Sequence, residues 1–181
     1  MNITFRADAS TIIGAGHVMR CLTLAHQLAK EGAKITFLTR LHTGNLIDLI
    51  SSFGYQIHAL APPKSTIKLT DSNSWLGYSQ QEDADECITK IPEQTLIDFL
   101  IIDHYTIDKF WHQQLRPFCR KLMVIDDLAN RQYDCDILLD QTLNRQKEDY
   151  IPFIPKQCKL LLGKNYMLLR DEFSIARAKA E

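Results

Sequence analysis

The stretch Asn2-Ile-Thr-Phe-Arg-Ala-Asp8, followed by Gly14-Ala-Gly-His-Val-Met-Arg20, decides how this chain is read. The first run is apolar enough for a strand and the glycines mark a loop. Val18 to Lys30 then repeats apolar residues at helical spacing. Strand, glycine loop and helix in that order open one large class of α/β folds, in which the loop and helix N-terminus form an anion site. His17 stands at the start of that helix, beside any anion bound there. The loop is therefore equipped for chemistry as well as for binding.

Working outward, strands and helices alternate. Ile35–Leu38 reads as a strand, after a Glu31-Gly32 stop signal for the first helix. Asn45–Phe53 reads as a helix ended by Gly54, Tyr55–Leu60 as a strand broken by Pro62-Pro63, and residues 64–74 as loop. Gln80–Lys90 reads as a helix capped by Ser79. Phe99-Leu-Ile-Ile-Asp103 and Leu122-Met-Val-Ile-Asp126 are continuous apolar runs, suited to strands buried on both faces of a parallel sheet, with a helix over Ile107–Leu115 between them. Cys135–Leu139 and Lys159–Leu162 complete the set. The expected fold is an open, doubly wound parallel α/β sheet.

Composition narrows the partners. The 181 residues suffice for one ordinary domain, and 21 Lys+Arg against 22 Asp+Glu produce no global field to attract nucleic acid or a membrane. No apolar run reaches the ~20 residues of a bilayer span, and no signal-like segment opens the chain, so a cytoplasmic protein is expected. The five cysteines are widely spaced without a Cys-x-x-Cys pair, which argues for reduced, mostly buried thiols rather than zinc or disulfides.

In such sheets ligands collect at the carboxyl ends of the strands. Asp8, Asp103-His104-Tyr105 and Asp126-Asp127 all fall on that edge. Strand-end aspartates also cap turns; that reading is preferred for Asp126 and Asp127, while Asp103 and His104 are open to both. Gly14 and Gly16 permit close backbone approach to a ligand, but Met19 breaks the Gly-x-Gly-x-x-Gly dinucleotide fingerprint and no Walker lysine follows. A histidine at a helix start can be a cap. Here the helix dipole favours the uncharged ring, which can take a proton from water as a general base. Arg20, one turn on, can orient an anionic ligand or the histidine, or pair with a strand-end aspartate. His26, His42, His58 and His112 show no ligand spacing.

Several blocks together carry a resemblance. They are Phe5–Ser10, Gly14–Ala25, Trp75-Leu-Gly-Tyr-Ser79 with Asp83-Ala84, Ile102–Tyr105, Val124–Ala129 with Arg131, Leu138–Gln141, and Leu162-Gly163 with Tyr166–Phe173. In order and end to end, the chain resembles the UDP-2,4-diacetamido-2,4,6-trideoxy-β-L-altropyranose hydrolases of pseudaminic acid biosynthesis. The resemblance implies the N-terminal half of a GT-B-type pair of Rossmann-like domains, with the site in the cleft between them. It implies inverting hydrolysis of a UDP-sugar at the anomeric carbon, with no metal and no cofactor. The family's essential histidine falls on His17, Arg170 resembles a substrate contact, and Tyr78 is a candidate to line the sugar pocket. Tyr78 is also readable as a plain loop residue, and Arg170 as a salt-bridge partner of its acidic neighbours. Family members continue into a second domain. Residues 1–168 are thus expected to be the catalytic N-terminal domain and 169–181 a connector helix towards that absent partner. A glycosyltransferase domain, with His17 activating an acceptor hydroxyl, and a non-catalytic sugar-nucleotide binding module are the alternatives.

Overall fold

The computed structural model describes residues 1–93 and 95–169. The connector helix expected over 169–181, Leu169 apart, therefore lies outside the described residues. Seven strands form one sheet: β1 (Asn2–Ala7), β2 (Lys34–Arg40), β3 (Gln56–Leu60), β4 (Ile97–Asp103), β5 (Cys119–Ile125), β6 (Ile137–Asp140) and β7 (Lys159–Leu162). Their order is β3-β2-β1-β4-β5-β6-β7 and every pairing is parallel. The chain moves outward from β1 in one direction, then returns to β4 and moves outward in the other. The expected doubly wound, Rossmann-like fold is what is found, and its switch point lies between β1 and β4.

The helices are α1 (Gly16–Lys30), α2 (Ile47–Ser52), α3 (Gln80–Lys90) and α4 (Lys109–Leu115). Strand alternation sorts the core into two layers. Ile3, Phe5 and Ala7 of β1 and Ile101 of β4 pack with Val18, Cys21, Leu22 and Ala25 of α1 and Ile50 of α2. Leu38, Leu100, Ile102 and Leu122 face the other way, onto Ala84 and Cys87 of α3 and Trp111 and Leu115 of α4. α1 buries residues 18, 21, 22 and 25, the stripe its spacing predicts. α3 begins at the expected cap: the Ser79 side chain accepts from Glu82 N while Glu82 reaches back to Ser79 N. α2 is shorter than the expected 45–53, because Asn45 spends its side chain on a turn, accepting from Ile47 N and donating to His42 O. β5 to β6 and β6 to β7 are joined by loops and 3-10 turns. Among the described residues no helix is long and apolar enough to cross a membrane. All five cysteines are free and four are buried.

Beneath the carboxyl edge, a buried polar network ties the layers together. Asp83 of α3 accepts from Arg6 Nη2 (2.7 Å), Arg40 Nη2 (2.5 Å) and Trp111 Nε1 (2.9 Å), joining β1, β2, α3 and α4. Asp8 accepts from Arg6 Nη1 (2.6 Å) and Arg40 N (2.7 Å). Such a network adds little over an apolar core, but removing one partner costs about 3–5 kcal/mol because the other charge stays buried. It holds the ends of β1 and β2 in a fixed position under the site.

Candidate active site

The glycine loop leaves β1 and turns back at Ser10, whose Oγ accepts from Ile12 N (3.1 Å) and Ile13 N (2.8 Å) and whose carbonyl accepts from Gly14 N (2.9 Å). Gly14 adopts φ +82°, a conformation that side chains disfavour. α1 therefore starts at Gly16, with its N-terminus against the sheet edge and His17 in its first turn.

β1 and β4 are neighbours with Ala7 opposite Asp103. Asp103 shares strand parity with Ile101, so its side chain emerges on the α1 face. There His17 Nδ1 meets Oδ1 at 2.6 Å, Arg20 Nη2 donates to Oδ1 at 2.6 Å and Arg20 Nε donates to Oδ2. Asp103 is fully buried. Burial alone would raise its pKa, but His17 and the Arg20 hydrogen bonds outweigh that and hold it below the usual carboxylate value. An ionised carboxylate only accepts, so Nδ1 of His17 is the donor and Nε2 is left as the acceptor. Arg20 Nη2, 3.4 Å from Nδ1, is a second donor there and makes a contact, not a hydrogen bond. Among the described residues no hydrogen bond engages Nε2, and it is not sealed from solvent.

His17 opens onto a pocket of about 330 Å³ lined by Ile13, Gly16, Arg20, Trp75, Tyr105 and Asp127. Tyr105 stands edge-on to the imidazole at 4.5 Å and Trp75 at 6.3 Å. Arg20 also approaches Asp127, Nη1 to Oδ2 at 3.3 Å. Tyr105 lies beside Asp127; burial and that carboxylate both push its phenol well above the ordinary value. Among the described residues no cluster of three or more His, Cys, Asp or Glu is arranged to hold a metal ion.

The predicted residues divide accordingly. His17, Gly16, Arg20 and Asp103 come together, with Gly14 shaping the loop behind them. His104 does not join them. One step beyond Asp103, it takes the opposite face: Nδ1 accepts from Thr106 N (3.2 Å) and Nε2 points at Asp8 Oδ2, 3.3 Å away. Its burial depresses its pKa, so the ring is neutral and lies behind the pocket. Tyr78 is also elsewhere, its hydroxyl donating to Pro62 O (3.0 Å) and its ring between Arg40 (4.0 Å) and Lys64 (4.7 Å). Arg170 lies outside the described residues. Asp126 is the turn former expected, accepting from Leu128 N, Ala129 N, Tyr133 and Tyr150. Asp127, read the same way, lines the pocket instead. Trp75 and Tyr105 had no assigned role. For Tyr105 the signal was its place just past a strand end; for Trp75, on a loop, it was membership of the Trp75–Ser79 block that carries the resemblance.

No protein-family model matches the chain. Over 174 residues it is 30% identical to the UDP-2,4-diacetamido-2,4,6-trideoxy-beta-L-altropyranose hydrolase of Campylobacter jejuni, a match covering 96% of this chain and 53% of that protein. It is 27% identical over 177 residues to an uncharacterized protein of Methanocaldococcus jannaschii, covering 96% of this chain and 32% of that one. The resemblance expected from the motifs is borne out. The chain spans about half the length of the first relative and about a third of the second.

Proposed function

We propose, with similarity to a nucleotide-sugar hydrolase as the premise, that this chain supplies the base-bearing half of a site that hydrolyses a UDP-linked diacetamido-trideoxy sugar. The observation that carries the reading is the His17–Asp103 pair, with Nδ1 tied to a buried carboxylate and Nε2 free towards a pocket. In this reading a water lies between Nε2 and the anomeric carbon. As its oxygen attacks C1, Nε2 takes one of its protons and the C1–O bond to the diphosphate breaks, the electron pair leaving with UDP. Attack opposite the leaving group inverts the anomeric centre. The products are free sugar, UDP and one proton, which His17 returns to solvent.

Asp103 does not touch the substrate in this scheme. It holds the imidazole in the tautomer that can accept, and its charge offsets the imidazolium that forms. UDP is a good leaving group, so a second carboxylic acid to protonate the departing oxygen is less necessary than in glycoside hydrolysis. Donors for the developing phosphate charge suffice. The N-terminus of α1 at Gly16 offers such donors, and Arg170 and a second domain of the longer protein are proposed to supply the rest.

The test is UDP release from the UDP-sugar by a longer protein that includes this chain, and by the chain alone. Release without any acceptor, by the longer form only, is the expected result. Release that requires an acceptor sugar would make the protein a glycosyltransferase, and binding without release would make it a binding module.

A further inference from the structure

The pocket over His17 has a wall that the hydrolytic step does not use. Trp75 and Tyr105 stand with ring centroids 5.7 Å apart and planes inclined by 32°, and Ile13 extends their apolar surface. Besides His17 and Arg20, the polar group on this lining is Asp127, beside Tyr105, with its side chain about one-third exposed. Its Oδ1 is closed off from solvent, so Oδ2 is the oxygen a ligand can reach, and the one aligned hydrogen bond to it among the described residues comes from Arg20 Nη1 at 3.3 Å. A carboxylate oxygen can accept about two hydrogen bonds, so Oδ2 keeps one site open beside the Arg20 contact. Aromatic surface is thus paired with an undersupplied acceptor.

A sugar hydroxyl would satisfy the acceptor and leave the rings uncovered. An acetamido group satisfies both, because its amide N–H is a donor and its methyl is apolar. We infer that Asp127, Trp75 and Tyr105 form the subsite that recognises an acetamido substituent of the sugar, Asp127 accepting the N–H while the methyl packs against the two rings. The inference rests on the sugar-nucleotide reading above and names the residues that select its substrate. Arg20 has a part in it as well. By pairing with both Asp103 and Asp127 it spaces the acetamido subsite from the base.

The experiment uses this chain and two probes, the methyl glycoside of a 2-acetamido-2-deoxyhexose and that of the parent hexose. Binding is read by saturation-transfer NMR and by fluorescence, Trp75 being the tryptophan at the pocket while Trp111 is buried in the core. Saturation should concentrate on the acetamido methyl, and the acetamido probe should bind about tenfold or more tightly than the hexose. Asp127→Ala should abolish that preference, and Trp75→Phe, which keeps a ring, should weaken it less. Equal binding of both probes, no saturation transfer to either, or a preference unchanged in folded Asp127→Ala overturns the inference. The two readings fail separately. UDP release by the longer protein with no acetamido preference removes this subsite alone. An Asp127-dependent preference without UDP release leaves the subsite and removes the hydrolase.

Discussion

Replacing Asp103 by asparagine tests the geometry of the base. The buried carboxylate takes His17 Nδ1 and Arg20 Nη2 on one oxygen, both at 2.6 Å, and Arg20 Nε on the other. An amide has one accepting end. If its NH2 takes the Oδ2 position it faces Arg20 Nε, donor against donor. If it takes the Oδ1 position it faces Nδ1, which must then accept, so the proton moves to Nε2 and the base is lost. The same exchange in a serine protease triad costs about 10⁴ in turnover through the wrong tautomer, roughly 5.5 kcal/mol. A loss of about 10³–10⁴ in kcat for UDP release by the longer protein is expected, with KM little changed. Stability should fall by about 2–4 kcal/mol, below the 3–5 of a sealed pair, because the Arg20 side chain keeps 21% exposure and water can reach it. The double variant with His17→Ala should be no slower than His17→Ala alone, since members of one catalytic unit are not additive. A folded Asp103→Asn enzyme within tenfold of wild type would refute the reasoning, as would a double variant slower by the product of the two losses.

Other consequences are independent of that pair. Burial, with Arg131 and Arg116 nearby, lowers His112 to about 3; the unfolded chain, at about 6.5, takes up the proton first, so its stabilisation is complete above pH 6.5 and is lost as pH falls towards 3. Urea midpoints should therefore show a loss of about 2 kcal/mol between pH 6.5 and 5 that is absent from His112→Phe, and an unchanged pH slope in that variant would contradict the assignment. At Gly16 an added Cβ meets nothing within 4 Å, and the residue is helical and lines the pocket. Gly16→Ala should keep or raise Tm while raising KM at least severalfold, and an unaltered KM would place the ligand elsewhere. Among the thiols, Cys158 is half-buried and lowered by its contact with Cys135, whereas burial pushes Cys119 up to about 11 and raises Cys21 and Cys87. Alkylation at pH 8 should modify Cys158 first, and prior labelling of Cys119 would argue against this packing.

What could be read from the sequence follows from how local each signal is. The runs ending at Asp103 and Asp126 are apolar on both faces, so they had to be central strands. Ser79 and Glu82 announce their helix through hydrogen bonds made within four residues. His17 was visible because a helix start after a glycine loop is itself a local pattern. Its partner was harder to assign: Asp103 lies 86 residues away, and only the return of the chain from β3 to β4 makes them neighbours. His104, adjacent to Asp103 in sequence, was grouped with it. One residue of strand parity sends the two to opposite sides of the sheet edge. Asp126 and Asp127 divide in the same way, one satisfied by backbone and tyrosine donors, the other lining the pocket. Trp75 reaches His17 from a loop whose path depends on tertiary contacts, including its own indole N–H to Lys68 O at 2.9 Å.

The central claim is that His17 activates water against the anomeric carbon. The direct measurement is UDP release from the UDP-sugar in ¹⁸O-water by the longer protein and by its His17→Ala variant. Wild type should place ¹⁸O on the sugar and none on UDP, and the variant should be slower by about 10²–10⁴ with its UDP-sugar affinity retained. Label on the phosphate, or turnover within a few-fold of wild type after loss of the imidazole, would contradict it.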